Sequence, residues 1–317
     1  MKIVILHNQI SDNASADEAD VLDQVNLVHE NLLTLNHTVE IFPVSLNLYE
    51  LKNYLEIVKP DAVFNLVESL NNQGELIALV PALLEVLKVP FTGSSYEATF
   101  LTSNKTVAKK LMQFHRINTP SVITEHNFHQ ASSKKRYIIK PIWEDGSLYL
   151  DEENVVDGEE LKKRALSIDW KNFFVEEYID GREFNISILS TSNGPLVLNP
   201  AEIVFQNYHS EKPKIVGYKA KWHEDSFEYQ NTVRQFPTID PELKSRLNKV
   251  CVDCWNAFQL KGYARVDIRL DHNQTPYVLE VNPNPCISPD SGFIAALADS
   301  GIPILEAINN IINDLNR

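Results

Sequence analysis

Residues 263–285 read YARVDIRLDHNQTPYVLEVNPNP, and this pattern decides how the C-terminal part of the chain folds. At a strand period of two, Arg265, Asp267 and Arg269 face one way while Val266, Ile268 and Leu270 face the other. In the second run Val278, Glu280 and Asn282 share a face, with Tyr277, Leu279 and Val281 on the opposite one. Asp271 to Pro276 is rich in turn formers, so the two runs predict an antiparallel hairpin flanked by residues 270 and 277. Asp267 then falls opposite Glu280, and Arg265 opposite Asn282. Directly opposed side chains stand roughly 5 Å apart at Cβ. Two carboxylates that close repel unless a proton or a cation lies between them. An Asp, a Glu and an Asn amide are oxygen ligands that suit Mg²⁺. A solvated acidic face neutralised by Arg269 fits the same letters, and the hairpin alone leaves both readings open.

The bulk numbers narrow the field. A chain of 317 residues is long enough for two or three packed units. Its 29 basic against 43 acidic residues give a net charge of −14, which speaks against a surface built for a nucleic-acid backbone. That balance still allows ATP, because a few local lysines and a metal can hold phosphates. Only Cys251, Cys254 and Cys286 occur, so no disulfide framework is expected and a reducing compartment fits. No apolar run approaches the roughly 20 residues that span a bilayer, and MKIVILH is too short for a signal core. A cytoplasmic protein with no membrane partner is the expectation. The Cys251-x-x-Cys254 pair lies within an apparent helix and lacks a second CxxC or a His pair, so the reading is buried core thiols. His126 and His129 sit in a polar stretch and read as solvated.

Working outward, residues 2–6 (KIVIL), TVEIFPV and DAVFNLVE read as strands alternating with helices near 18–35, in LYELKNYLEIV and in ELIALVPALLEVLK. Alternating β and α elements predict a parallel sheet covered by helices over about the first ninety residues. After Thr92-Gly93-Ser94 a helix is expected in SNKTVAKKLMQFHRI, capped by Ser103 or Asn104. SVIT and RYIIKP follow as strands, then a WEDGS loop, a helix in ELKKRALSI, and two strands around Asp180-Gly181. A Cys-bearing helix, the hairpin and an amphipathic helix near 302–316 complete the chain. The predicted fold class is α/β and α+β.

Three lysines carry the chemistry further. Lys140 ends a strand beside Glu144-Asp145-Gly146-Ser147, where an ammonium and a Gly-Ser turn can both meet phosphate oxygens. Lys105 lies at a helix start, where a cation is unfavourable unless an anion is near. Lys221 in GYKAKW ends a polar stretch. At this point the order TGSSYEATFLTSNKTVAKK, YIIKP with EDGS, VEEYIDGREF, GYKAKW, ARVDIRLD and YVLEVNPNP resembles the ATP-grasp superfamily, and within it the D-alanine–D-alanine ligase-like family. The resemblance covers most of the chain from residue 90 onward.

That resemblance implies an ATP-grasp fold with a Rossmann-like (pre-ATP-grasp) α/β domain over residues 1–93. A central subdomain would span 94–179 and a C-terminal one 180–317. Lys105 and Lys140 would touch the nucleotide phosphates, with Gly146 and Ser147 in a lid. Glu176, Glu177 and the Ile179 N–H would read adenine, and Glu183 the ribose hydroxyls. Lys221 would reach the terminal phosphate. Asp267, Glu280 and Asn282 would hold two Mg²⁺ ions, with Mn²⁺ as a substitute, and Arg265 would stabilise charge on the reacting groups. The implied activity is ATP-dependent joining of a carboxylate to an amine through an acyl phosphate, on small amino-acid-like substrates, with a homodimer as the default assembly.

The substrate motifs differ from the family pattern. The expected Gly-Gly turn and Ser-x-Glu motif give way to His7-Asn8-Gln9 and an acidic stretch in which Asp17, Glu18 or Asp20 is the candidate for the first amine. Val67-Glu68 replaces a His-Gly pair, Trp222 stands for a Tyr, and Pro283-Asn284-Pro285-Cys286 replaces a small-residue loop. D-alanyl-D-alanine synthesis, the same chemistry on other substrates, and a non-catalytic nucleotide-binding protein are the readings to separate.

Overall fold

The structure is a computed structural model that describes residues 1–10, 16–143, 147 and 149–316. Gly146, the rest of the Glu144–Gly146 loop, and the side chains of Asp17 and Glu18 lie outside the described residues. The N-terminal strands β1 (Lys2–Asn8), β2 (Thr38–Val44) and β3 (Ala62–Leu66) form a parallel sheet in the order β2-β1-β3. Ile3 to Leu6 are all fully buried, because both faces are covered. Ile3 and Ile5 pack against helix α1 (Ala16–Thr34), through Val21, Val25, Val28 and Leu32. Val4 and Leu6 pack the other way, against α2 (Leu48–Val58) and α3 (Leu79–Leu87).

Two helices follow rather than the one expected. α4 (Tyr96–Ser103) and α5 (Lys105–Phe114) meet at Asn104, whose side chain caps α5 by accepting from the Thr106 and Val107 N–H groups. The sequence hides α4 behind Thr and Ser residues that read as loop. Here they bond back onto the previous turn, Thr102 Oγ1 to the Ala98 carbonyl at 2.7 Å and Ser103 Oγ to that of Thr99 at 2.5 Å.

The second sheet is antiparallel: β4 (Val122–Ile123), β5 (Arg136–Pro141), β6 (Val155–Asp157) and β7 (Phe173–Glu177), ordered β4-β7-β5-β6, with α6 (Gly158–Arg164) packed on it. The third contains β8 (Glu183–Thr191), β9 (Gly194–Val197), β10 (Ala201–Phe205), β11 (Thr232–Gln235), β12 (Tyr263–Leu270) and β13 (Pro276–Pro283). Its order is β11-β10-β8-β12-β13, with β9 paired to β8. Short helices α7 (Tyr218–Trp222) and α8 (Phe227–Asn231) lie between β10 and β11, and α9 (Pro241–Ala257) between β11 and β12. α10 (Gly292–Asp299) and α11 (Ile304–Asn313) end the chain. The two strands expected around Asp180-Gly181 are thus β7 and β8, and they belong to different sheets. Gly181 permits the switch: a Cβ there would lie 2.0 Å from the Leu270 carbonyl oxygen.

The cores cross the expected boundaries. α4 and α5 contribute Ala98, Ala108 and Met112 to the core of the six-stranded sheet, together with α9 and the inward faces of β8, β12 and β13. Phe293, Leu297, Ile308 and Ile311 of the last two helices join the α1 core. Cys251 and Cys254 are buried core thiols, and burial pushes both thiol pKa values up. Among the described residues no single helix is long and apolar enough to cross a membrane.

Candidate nucleotide and metal site

The hairpin places its acids as the period predicts, with one change of register. Arg265 faces Asn282 and Asp267 faces Glu280, but a bulge between Asp267 and Ile268 makes Ile268 the partner of Val278 and Leu270 the partner of Pro276. The extra residue, Leu279, turns Val278 over. Instead of sharing a face with Glu280, Val278 is fully buried beside Val281 in the apolar core. Without the bulge the sheet would send Val278 into the polar cleft, so one inserted residue serves both faces.

Charges converge on the polar face. Arg265 grips Asp267 in a two-point contact, Nε to Oδ1 at 2.7 Å and Nη2 to Oδ2 at 2.8 Å. The same carboxylate accepts from Asn185 Nδ2 at 2.8 Å and Asn282 Nδ2 at 3.2 Å. Burial pushes the Asp267 carboxyl up to about 6 despite Arg265, and the neighbouring Glu280 adds to the rise. Glu280 goes the other way. Burial would raise it too, but Lys105, Lys140, Arg265 and Lys221 together hold it well below the usual carboxylate range. Lys105, buried at the first position of α5, is 3.9 Å from the Glu280 carboxylate. One carboxylate therefore gathers all four cations singled out in the sequence.

A second acid organises the neighbouring sheet. Glu176, fully buried on β7, holds Lys140 at 2.9 Å and Lys109 at 2.5 Å. Lys109, almost wholly enclosed, also donates to Thr119 Oγ1 at 2.9 Å and to the Leu279 carbonyl, in the bulge, at 3.1 Å. Sequence reasoning missed Lys109, although its spacing of one helical turn from Lys105 was a usable signal. Glu177 makes an exposed ion pair with Lys135 at 2.8 Å. Glu183 is buried and accepts from Arg269 at 2.6 Å, while Arg269 also donates to the Ile179 carbonyl at 2.9 Å. Arg269 thus fixes two residues expected to meet the nucleoside, rather than neutralising the hairpin acids. Asn185 was also missed, though it lies two residues beyond Glu183 on the same strand face. Of the two residues expected in a lid, Ser147 is described, and its hydroxyl donates to the Val216 carbonyl at 2.6 Å.

The loop after Asn282 ties this centre to the N-terminal unit. Asn284 Oδ1 accepts from the Ser94 N–H at 3.1 Å, and its side chain fills the space where a Cβ on Gly93 (φ +86°) would sit. The Cys286 thiol donates to Asp20 at 2.9 Å. Gln24 donates to Glu68 at 2.9 Å and accepts from the Ile287 N–H at 3.1 Å. Asp20 and Glu68 are therefore brought to one place, while Asp17 and Glu18 lie outside the described side chains.

The donor set suits a hard cation. The described residues hold no cluster of three or more His, Cys, Asp or Glu side chains placed for a metal. Mg²⁺ does not need one, since it binds through one or two carboxylates plus phosphates and water. Asp267 and Glu280 supply the carboxylates and Asn282 an amide. Burial is the first cause of the upward push on Asp267, and a cation beside it would favour the charged form.

The comparisons agree with this geometry. Residues 121–313 match the family model described as D-ala D-ala ligase C-terminus. The chain is 31% identical over 289 residues to the D-alanine–D-alanine ligase of Carboxydothermus hydrogenoformans, covering 83% of this chain and 88% of that one. It is 32% identical over 262 residues to the uncharacterized protein y4sG of Sinorhizobium fredii, covering 80% of this chain and 74% of that one. The crystal structure of the Bacillus anthracis D-alanine–D-alanine ligase complexed with ATP superposes with a TM-score of 0.74 at 21% identity, over 100% of this chain and 98% of that one. Such a superposition makes this fold an ATP-grasp fold. The chain belongs to the D-alanine–D-alanine ligase family, and so to the ATP-dependent carbon–nitrogen ligases.

Proposed function

We propose that this protein joins the carboxyl group of one amino-acid-like substrate to the amine of another, using ATP and Mg²⁺ in the cytoplasm. The observation that carries the proposal is the convergence of Lys105, Lys140, Lys221 and Arg265 on Glu280. Lysines and an arginine drawn to one place from β5, α5, α7 and β12 are the kind of surroundings that a polyphosphate with its metal requires.

In this reading Lys105 and Lys140 hold ATP phosphates, Lys221 meets the terminal one, and Gly146 and Ser147 belong to a covering loop. Glu176, Glu177 and Ile179 meet adenine, and Glu183 the ribose. Asp267, Glu280 and Asn282 hold two Mg²⁺ ions, which when bound screen the charge between phosphates and the attacking carboxylate. Arg269 keeps Glu183 and Ile179 oriented, and Glu176 keeps the Lys140 ammonium pointed into the cleft. A substrate carboxylate oxygen attacks the γ-phosphorus and ADP leaves, giving an acyl phosphate. The amine then attacks the carbonyl, Arg265 steadies the oxyanion, and phosphate departs carrying the oxygen that made the attack. Three free cysteines support a reducing location. A homodimer is the expected working unit, and sedimentation velocity measures it directly.

The test is a phosphate-release screen with ATP, Mg²⁺ and pairs of D- and L-amino acids. Release with D-alanine alone fixes the substrate as in the named relatives, and release with other pairs redirects it. Silence across the panel favours a nucleotide-binding protein without ligase turnover.

A further inference from the structure

Residues 206–217 leave the six-stranded sheet after β10 and lead into α7, which carries Lys221. On the way they lean on the end of β7 and on the loop before β6. The Lys214 N–H donates to Tyr178 Oη at 2.9 Å, and Arg269 donates to the Lys214 carbonyl. The Tyr218 N–H donates to the Leu150 carbonyl at 3.0 Å. The approach is so close that a Cβ on Gly217 would lie 2.9 Å from that same oxygen. This stretch therefore bridges the two antiparallel sheets, beside the residues that Arg269 holds.

Near its start, Lys212 sits between two carboxylates, those of Glu152 and Glu228, the latter at 2.8 Å. They come from different sheets. Glu152 opens a short helical turn before β6, and Asn154 of that turn donates to the Ile139 carbonyl, next to Lys140, at 3.0 Å. Glu228 lies on α8, which leads into β11. The Lys212 ammonium is also 5.2 Å from the centre of the Tyr208 ring and 5.3 Å from that of Phe227, within reach of both π faces. An exposed ion pair contributes little, but these three side chains are at most 31% exposed. Burial would lower the Lys212 pKa, yet the bonds to both carboxylates outweigh it and raise it. Without the ammonium, two neighbouring carboxylates would repel across the joint.

We infer that Lys212 is a positioning residue, an electrostatic clasp that holds residues 206–217 across the two sheets and thereby seats Lys221. The seating rests on the ligase reading above, in which Lys221 meets the terminal phosphate. The clasp does not depend on it.

The experiment takes the full chain and reads the two parts separately. Hydrogen exchange with mass spectrometry reads the clasp and needs no turnover. In Lys212→Met, peptides covering 149–155 and 207–222 exchange about tenfold faster or more, the worth of a charge-assisted hydrogen bond, while those of α9 and β12 keep wild-type rates. Lys212→Arg keeps most of the protection. Adding Glu152→Gln and Glu228→Gln to Lys212→Met recovers part of it, since the repulsion is then gone. Unchanged exchange in Lys212→Met overturns the clasp. Kinetics with the best substrate pair from the screen read the seating. Lys212→Met lowers kcat by about tenfold, with the KM for ATP changed less, and releases more phosphate per product because a poorly covered acyl phosphate meets water. Faster exchange with wild-type kcat and phosphate-to-product ratio overturns the seating. If no pair turns over, the ligase reading fails by itself, and the release of a fluorescent, non-hydrolysable ATP analogue with Mg²⁺ is timed instead. Faster release from Lys212→Met supports the seating, and an unchanged rate overturns it.

Discussion

On the flank of the hairpin that meets the four-stranded sheet, Lys105, Lys140, Lys221 and Arg265 surround Glu280, and Glu176 holds two lysines in the dark of the core. On the flank that meets the N-terminal unit, Asp20, Gln24, Glu68, Asn284 and Cys286 are knit by ordinary hydrogen bonds. In the proposed reading the first flank answers to a polyphosphate and a hard cation, whose charge dictates which residues can serve. The second answers to whatever the substrates are, and its residues follow no such fixed rule. On that reading the side proposed for the nucleotide keeps the family's letters, while the side proposed for the substrates departs from them.

The sharpest way to break this comparison is to remove its centre. Glu280→Gln is expected to lower Mg²⁺-dependent ADP release by roughly 10²–10³ or more while circular dichroism stays native. Substantial turnover in that variant would mean the four cations serve something else.

Next in size is the buried lysine. Lys109→Met leaves Glu176 with Lys140 alone, and breaking a buried pair costs about 3–5 kcal/mol, read as a lower midpoint in urea. Adding Glu176→Gln should recover part of the loss, since the stranded charge is then gone. The pair also has a pH signature. Burial alone would raise Glu176, but Lys109 and Lys140 hold it below the ordinary value, so the unfolded chain takes up the proton first. Its stabilisation is complete above about pH 4.5 and drains away as pH falls through the folded value. Glu176→Gln should flatten that acid limb.

Lys140→Ala is expected to weaken ATP binding by about tenfold to a hundredfold, the worth of one or two charge-assisted hydrogen bonds. Unchanged nucleotide affinity by calorimetry would remove Lys140 from the phosphate site. The smallest effect belongs to the substrate flank. Asn284→Ala loses its bond to Ser94 and should cost about 1 kcal/mol of stability with nucleotide affinity unaltered. A collapse of ATP binding in that variant would erase the distinction between the flanks.

How much of this was legible follows the same division. Strand alternation and charge placed Arg265, Asp267, Glu280 and Asn282 on one face, because a period of two is a strong local signal. The bulge was not legible: Leu279 is one apolar letter among several, and only the buried position of Val278 reveals it. The alternating N-terminal elements read well because a doubly covered strand must be apolar throughout. α4 did not, because its Ser and Thr side chains satisfy themselves on the helix backbone. Lys109 and Lys212 escaped notice because a lysine is usually solvated, and burial or a pair of flanking acids comes only from tertiary contacts. The sharing of cores across the expected boundaries at residues 93 and 179 is likewise a matter of packing that no local pattern encodes.

The central claim is that the cations around Glu280 serve the transfer of a phosphoryl group from ATP to a carboxylate. An ¹⁸O-labelled carboxylate substrate, turned over with ATP and Mg²⁺, tests this by mass spectrometry of the released phosphate. The account predicts one ¹⁸O in each phosphate, because the attacking oxygen leaves with it. Phosphate free of label during product formation would contradict it.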